Sequence, residues 1–215
     1  MHGLTDEELR VLKPLNTPVK IQDFLDTLKM NFEPRGDTCM SPRVVLRKRE
    51  AHCIEGAMLA CVALRLNGQK PLVMDLSAGN GDYDHVVALF SRHGMWGCAS
   101  KTNHAVLRYR EPVYASPREL AMSFFHEYTD DKGRKTLRTY SDPIDISKLD
   151  HRGWMTSEKD VWFVPTHLIR AKHHQILIRA QLSGLRKADP IEIRVGRVTE
   201  WNDPKRRKKH YVPLK

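Results

Sequence analysis

Cys53 is the residue of this chain whose position best suits nucleophilic chemistry. It opens the stretch "CIEGAMLACVALRLNG", which predicts a buried helix that ends at Asn67-Gly68. A helix begins with unpaired backbone N–H groups and partial positive charge, which favour a thiolate and could hold an oxyanion. The cations Arg47–Arg49 just before it favour the thiolate as well. We therefore predict that Cys53 is a nucleophile, whereas Cys61 and Cys98 are packing residues.

A cysteine nucleophile needs a base, and His85 is the best-placed histidine. It begins the apolar strand "HVVALF" directly after the polar loop "SAGNGDYD", where a cleft can form. The alternative is a polar residue that only caps the strand. If "SRHG" forms a hairpin turn, Phe90 pairs near Met95 and the return strand "MWGCAS" brings Ser100 opposite His85, with Asn103 just beyond. Either Ser100 or Asn103 could accept a hydrogen bond from the imidazole, so both are candidates for the third site residue.

The elements that must position these residues predict an α+β fold. Start signals at Thr5, Thr17 and Ser41 predict three helices before the cysteine helix. The runs "PLVMDL", "HVVALF" and "MWGCAS" predict antiparallel strands. Further along we predict a helix in "SPRELAMSFFHEY", strands in "KTLRTYS" and "DVWFVP", a helix around His167–Leu185 and a late strand in "PIEIRVGRV". This order favours a cysteine-bearing helix packed on an antiparallel sheet, with extra N- and C-terminal helices.

Composition limits the classes of protein that the chain can represent. Its 215 residues suit a single domain over residues 1–190 and a basic C-terminal extension over 191–215. With 40% hydrophobic residues, no membrane-length apolar run, no signal pattern and no C-x-x-C pair, we expect a cytoplasmic protein with free thiols, no metal and no cofactor. The net charge of +10 and the run "PKRRKKH" allow a nucleic acid or acidic protein as partner. The alternative is a solvated tail that only raises the isoelectric point.

Three pieces of the chain occur in the order found in a known group of enzymes. They are "REAHCIEGAMLACVALRLNGQKPLVMDL", "DHVVALF" and "GMWGCAS", and over roughly Val44–Ser100 the chain resembles the transglutaminase-like superfamily of papain-like cysteine enzymes. The resemblance implies a papain-like core with Cys53 as nucleophile and His85 as base. Family members usually carry an aspartate a few residues after the tryptophan, whereas here Ser100 follows Trp96. A serine orients an imidazole but adds no negative charge, so it stabilises an imidazolium less. Asn103 could replace it, as asparagine does in the papain branch.

Four more residues complete the predicted site. His52 precedes the nucleophile, where many family members have another residue type, and is a surface residue, an oxyanion donor or a rival base. We assign it to substrate binding together with Trp96, Arg108 and Arg110, since a guanidinium binds carboxylate or phosphate groups. The alternative for the two arginines is that they face solvent from alternate positions of a strand.

The sequence therefore favours a cysteine-dependent acyl-transfer enzyme, acting on a peptide or amide substrate as a hydrolase or as a transglutaminase-like transferase. Hydrolysis is the favoured reaction because water is always available. A second hypothesis is a catalytically lapsed module of the same fold, which binds nucleic acid or an acidic partner through its basic surface. A third is a structural cysteine in an unrelated α+β protein. The sequence predicts no oligomeric state.

Overall fold

A computed structural model describes residues 3–79 and 81–200, and it confirms the α+β class. The predicted run "PKRRKKH" lies outside the described residues. The first four helices begin at or beside their predicted start signals: α1 (Asp6–Leu12), α2 (Pro18–Thr27), α3 (Pro42–Lys48) and α4 (Cys53–Leu66). Two short strands, β1 (Lys29–Met30) and β2 (Glu50–Ala51), form a parallel pair just before α4.

The main sheet has seven strands, and its pairings are antiparallel. Its members are β3 (Leu72–Ala78), β4 (His85–Arg92), β5 (Met95–Ala99), β6 (Arg110–Tyr114), β7 (Leu137–Ser141), β8 (Ile144–Asp145) and β9 (His173–Gln175). In space they follow the order β6-β5-β4-β3-β7-β9, while β8 pairs with β3. The predicted strands around His85 are thus central in the sheet.

Each face of the sheet carries its own apolar core. Along β4, Val86, Ala88 and Phe90 belong to the core that contains α4, while Val87 and Leu89 belong to the core on the opposite face. The opposite face is covered by α5 (Pro117–Met122) and the turns that follow it. Every residue of α4 from 54 to 64 is buried, and apart from Glu55 and Gly56 these residues are apolar, so the helix is packed on all sides.

The segment after residue 160 differs from three of our predictions. "DVWFVP" was predicted as a strand, but α6 (Phe163–Ile169) begins within it and tolerates Pro165 in its first turn. The helix predicted around His167–Leu185 is interrupted, because residues 173–175 form β9 and pair with β7, and only α7 (Arg179–Leu182) follows. Pairing with an existing strand edge thus overrides the local helical pattern.

The late strand predicted in "PIEIRVGRV" is also wrong, because these residues begin α8 (Pro190–Gly196). The alternating Ile191, Ile193 and Val195 suggested a strand. The start signal is stronger: Pro190 occupies the first turn, and the Glu192 carboxylate accepts a hydrogen bond from the backbone N–H of residue 189 at 2.6 Å. The predicted domain boundary between residues 190 and 191 therefore falls inside a helix.

Residues 198–200 lie beside the segment that leaves β5. The backbone N–H of Ala105 donates to the Val198 carbonyl at 2.9 Å, and that of Glu200 donates to the Asn103 carbonyl at 2.7 Å. None of the helices formed by the described residues is both long and apolar enough to cross a bilayer.

Candidate active site

Cys53 is the first residue of α4, as predicted, and it lines an open cavity of about 200 Å³. The other three cysteines are buried, so Cys53 is the thiol with the best access to a substrate. The cavity is mostly apolar with two carboxylates, and its other lining residues are Ile54, Asp75, Asp84, Val86, Pro165, Leu168 and Ile169.

Two histidines lie beside Cys53. His52 is the N-cap residue of α4 and His85 is the first residue of β4, and both act on the ionisation of the Cys53 thiol. Burial raises the pKa of Cys53, but the hydrogen bonds and charges of the two histidines outweigh it and lower this pKa to about 5. Burial instead raises the pKa of Cys39 and of Cys98 to about 12. The structure therefore singles out Cys53 as the thiolate.

The proton arrangement around His85 follows from its second partner. His85 Nε2 lies 2.8 Å from Ser100 Oγ, and the Ser100 hydroxyl donates to the Leu107 carbonyl at 2.6 Å. A hydroxyl has one proton to donate, so Ser100 must accept the hydrogen bond from His85 Nε2–H. The neutral imidazole then has its lone pair on Nδ1, which is the nitrogen left for the sulfur. Ser100 thus fixes the tautomer in which His85 can take a proton from Cys53.

Ser100 reaches His85 although the predicted register is wrong by two residues. The hairpin turn is His93-Gly94 alone, with positive φ at both residues, so Phe90 pairs with Gly97 rather than with Met95. An error of two residues keeps every side chain on its predicted face of the sheet. Ser100 therefore lies diagonal to His85 instead of opposite, still within reach of its ring.

Ser100 is held by two elements that come much earlier in the chain. From α2, the Gln22 side chain bonds both backbone groups of Ser100: its amide donates to the carbonyl, and its oxygen accepts from the N–H, each at 2.9 Å. From α4, Gly56 lies so close to Lys101 that an added Cβ would be 2.4 Å from the Lys101 Cβ. A glycine here lets the segment with Ser100 approach the first turn of the cysteine helix.

Leu107 adds local backbone strain to this arrangement. Its φ is +61°, in the left-handed region that a leucine rarely adopts. Its N–H donates to the Glu127 carboxylate at 3.0 Å, and its carbonyl accepts from Ser100. Such a conformation costs on the order of 1–3 kcal/mol and persists where the surroundings enforce it. The two hydrogen bonds hold the carbonyl toward Ser100 despite that cost.

His52 has a different set of partners from His85. Its Nε2 lies 3.0 Å from the Thr38 carbonyl, 3.4 Å from Glu55 Oε1 and 3.5 Å from Glu33 Oε1. It is partly buried at the start of α4.

The remaining predicted residues lie away from Cys53. The Asn103 side-chain amide donates to the Glu200 carbonyl at 3.4 Å, and Arg108 Nε donates to the His104 carbonyl at 2.8 Å. Arg110 pairs with the Glu127 carboxylate at 2.6 Å.

Trp96 and the basic run before α4 also lie elsewhere. Trp96 packs against the core on the face of the sheet opposite α4. Arg47 pairs with Glu158 at 2.8 Å, and Arg49 lies over the Phe24 ring. The charges that lower the pKa of Cys53 most come from the two histidines beside it.

One wall of the cavity carries two carboxylates, and a third histidine, His173, contacts one of them. Asp75 accepts hydrogen bonds from His173 Nε2 and from the Ser77 hydroxyl, both at 3.0 Å. Burial raises the pKa of Asp84, whose carboxylate accepts a hydrogen bond from the Ala78 N–H at 2.7 Å. Negative charge therefore borders the nucleophile on this side.

No protein-family model matches the chain, and no curated protein sequence matches it either. The resemblance to the transglutaminase-like superfamily therefore stays a prediction, and the geometry of the site has to support any functional conclusion.

Proposed function

We propose that this protein is a cysteine-dependent acyl-transfer enzyme of the transglutaminase-like kind, with Cys53 as nucleophile, His85 as general acid and base, and Ser100 as the residue that orients His85. One observation carries the proposal: a low-pKa cysteine at a helix start contacts a histidine whose other nitrogen is held by a buried serine. The site opens onto a cavity, so a substrate carbonyl can reach the sulfur.

In the acylation step, the Cys53 thiolate attacks the carbonyl carbon of an amide or ester. The backbone N–H of Cys53 has no intrahelical acceptor at this position and can donate to the forming oxyanion. The carbon–sulfur bond forms, and the bond to the leaving group then breaks. The imidazolium of His85 gives its proton to the leaving amine.

In the deacylation step, neutral His85 takes a proton from water, and the hydroxide formed attacks the thioester. The carbon–sulfur bond breaks, Cys53 leaves as the thiolate, and the acid product departs. An acceptor amine in place of water would give transfer instead of hydrolysis. We favour hydrolysis because the cavity is open to solvent water.

The proposal is tested with p-nitrophenyl acetate, whose activated ester needs no specific recognition. Wild-type protein should release one equivalent of p-nitrophenolate rapidly and then turn over, with one acetyl group on Cys53 in the intact mass. Cys53→Ser should lose both phases. His85→Gln should accumulate the acetyl-enzyme, since deacylation needs the base. Cys61→Ala, a buried thiol at a distance from the cavity, is the matched control and should behave as wild type. Absence of acetylation at Cys53 in folded wild-type protein would refute the proposal.

A second candidate is a lapsed module that binds a polyanion. Two observations favour it: a neutral serine stands where the family usually has aspartate, and residues 201–215 contain six lysines and arginines but one aspartate, which is half of the net charge of +10. Phosphate-driven binding should weaken steeply with salt. Binding of random DNA that is insensitive to salt, in a protein without acetylation at Cys53, would exclude this mode as well.

A further inference from the structure

We propose that His52 and the buried carboxylate of Glu55 form a permanent ion pair beside the nucleophile, which holds Cys53 as the thiolate and leaves His85 to carry the transferred proton. The catalytic use of this pair rests on the proposed function, but the ion pair itself can be measured without substrate.

Glu55 has the surroundings of an ionised carboxylate. It is fully buried and accepts hydrogen bonds from Asn31 Nδ2 at 3.1 Å, the Thr38 hydroxyl at 2.9 Å, Met40 N at 2.8 Å and His52 N at 2.9 Å. Two of these donors are backbone N–H groups, which can only donate. The Asn31 amide is oriented because its oxygen accepts from a backbone N–H at 3.0 Å. Each carboxylate oxygen accepts one backbone N–H, Oε1 from Met40 and Oε2 from His52, and such bonds favour the charged form.

His52 has the surroundings of an imidazolium. The groups closest to its Nε2 are the Thr38 carbonyl and the carboxylates of Glu55 and Glu33, all of which accept hydrogen bonds. The hydrogen bond with Cys53 then falls to Nδ1, and a thiolate also accepts. With Cys53 as the thiolate, both nitrogens of His52 therefore carry protons. Burial lowers the pKa of His52, but the Cys53 hydrogen bond and the charges of Glu55 and Cys53 outweigh it and raise this pKa to about 9.

The two histidines at Cys53 differ in the charge of their partners. His85 donates to the neutral Ser100 hydroxyl, whereas His52 faces carboxylates. A carboxylate stabilises an imidazolium more than a hydroxyl does. His52 therefore keeps its proton while His85 exchanges one. Through the cycle no bond to His52 changes: the leaving amine receives its proton from His85, and water returns one to it.

Other titratable groups face Cys53 and His52 from neighbouring elements. Burial opposes a thiolate at Cys53, and the hydrogen bonds and charges of the two histidines outweigh it. Burial keeps the nearby Cys39 thiol and Tyr128 phenol neutral at physiological pH. The groups that act on Cys53 or His52, or line the cavity with Cys53, are Glu33, Cys39, Asp75, Asp84, His85, Tyr128 and, through Asp75, His173.

The inference is tested by titrating the ultraviolet absorbance of the thiolate in a matched pair of variants, His52→Gln and His85→Gln. The wild-type midpoint should lie at about 5. His52→Gln should raise it by about two units, and His85→Gln should raise it less. Glu55→Gln, which keeps the shape of the side chain, should also raise the midpoint, because an uncharged partner holds the His52 proton less firmly.

Imidazole NMR of uniformly 15N-labelled wild-type protein gives a readout that needs no variant to fold. The His52 resonances should report an imidazolium well above neutral pH. A neutral His52 at neutral pH, or a larger midpoint shift in His85→Gln than in His52→Gln, would overturn the ion pair. If the shifts appear but Cys53 forms no acetyl-enzyme, the proposed function fails and the ion pair stands.

Discussion

Replacing Ser100 by alanine removes the hydroxyl oxygen that bonds His85 Nε2. The lost bond has an N···O distance of 2.8 Å, and Ser100 is 1% exposed, so water does not easily replace the hydroxyl. A hydrogen bond that involves a charged group contributes about 1.5–3 kcal/mol. This stabilisation is required when His85 becomes an imidazolium during deacylation. We therefore expect turnover to fall by about tenfold to about a hundredfold in Ser100→Ala.

The assay is steady-state hydrolysis of p-nitrophenyl acetate, with the acetyl-enzyme followed by intact mass. Acylation should change little, because the thiolate attacks an activated ester without acid assistance, while acetyl-enzyme should accumulate. Ser91→Ala makes the same chemical change at an exposed position of β4, the strand that carries His85, and serves as control. Turnover in Ser100→Ala within about twofold of wild type, with folding intact, would refute the role given to Ser100.

Ser100→Asp separates charge from hydrogen-bond donation. An aspartate supplies the negative charge that members of the transglutaminase-like superfamily usually carry near this point. It has no proton to donate to the Leu107 carbonyl, which lies 2.6 Å from the serine oxygen. We expect this variant to turn over more slowly than wild type because two acceptors then face each other. Faster turnover would show that the Leu107 contact does not matter.

Three further predictions concern stability. The pKa of Cys53 is lowered from 9.0 to about 5, so the free energy of unfolding should rise with pH above about 5, where only the unfolded chain binds the thiol proton. The pKa of His52 is raised from 6.5 to about 9, so between about pH 6.5 and 9 its contribution falls and offsets that rise. The Tm difference between wild type and the double variant Cys53→Ala/His52→Gln, which removes both groups, should therefore rise between about pH 5 and 6.5 and stay level to about 9, and a flat difference would contradict this. Gly56→Ala should lower the free energy of unfolding by about 1–3 kcal/mol in urea titrations, because the added Cβ meets that of Lys101, and it should also slow turnover. An unchanged urea midpoint would show that the segment with Ser100 and Lys101 shifts away without cost. Gln22→Leu leaves the backbone N–H and carbonyl of buried Ser100 unpaired, which costs about 1–3 kcal/mol for each group, so Tm should fall measurably. An unchanged Tm would mean that water replaces the Gln22 amide.

The parts of the fold set by local signals could be predicted from the sequence. Thr17, Ser41 and Ser116 each cap a helix as their side chains and spacing indicate, and α4 begins at Cys53. These signals depend on residues within one turn of each other, so a single sequence contains them. The position of Glu55 three residues after His52 is also a capping-box spacing, and it could have shown that a carboxylate lies beside His52.

Contacts between distant parts of the chain could not be predicted. Gln22 lies 78 residues before Ser100. Nothing in the helical pattern of α2 indicates that the Gln22 side chain forms hydrogen bonds with the backbone of the residue that follows β5. The register error has a local origin, because a two-residue turn with positive φ at a histidine is uncommon outside Asn-Gly and Gly-Gly pairs. The predicted contact between Ser100 and His85 is nevertheless present, because side-chain direction repeats every two residues along a strand.

The central claim is that Cys53 alone is a thiolate at neutral pH, and competitive labelling by iodoacetamide tests it most directly. With a pKa of about 5, Cys53 is ionised about a hundred to one, whereas thiols with a pKa of about 12 are ionised about once in 10⁵. A more basic thiolate is intrinsically more nucleophilic, which offsets about three of these orders of magnitude in the labelling rate. Cys53 should therefore react faster by on the order of a hundredfold, before its better exposure is counted. Peptide mapping of the native protein should therefore find Cys53 labelled first, at a rate that stays nearly constant from neutral pH down to about 6. Equal labelling of all four cysteines, or a Cys53 rate that falls tenfold for each unit of pH below neutral, would contradict the account.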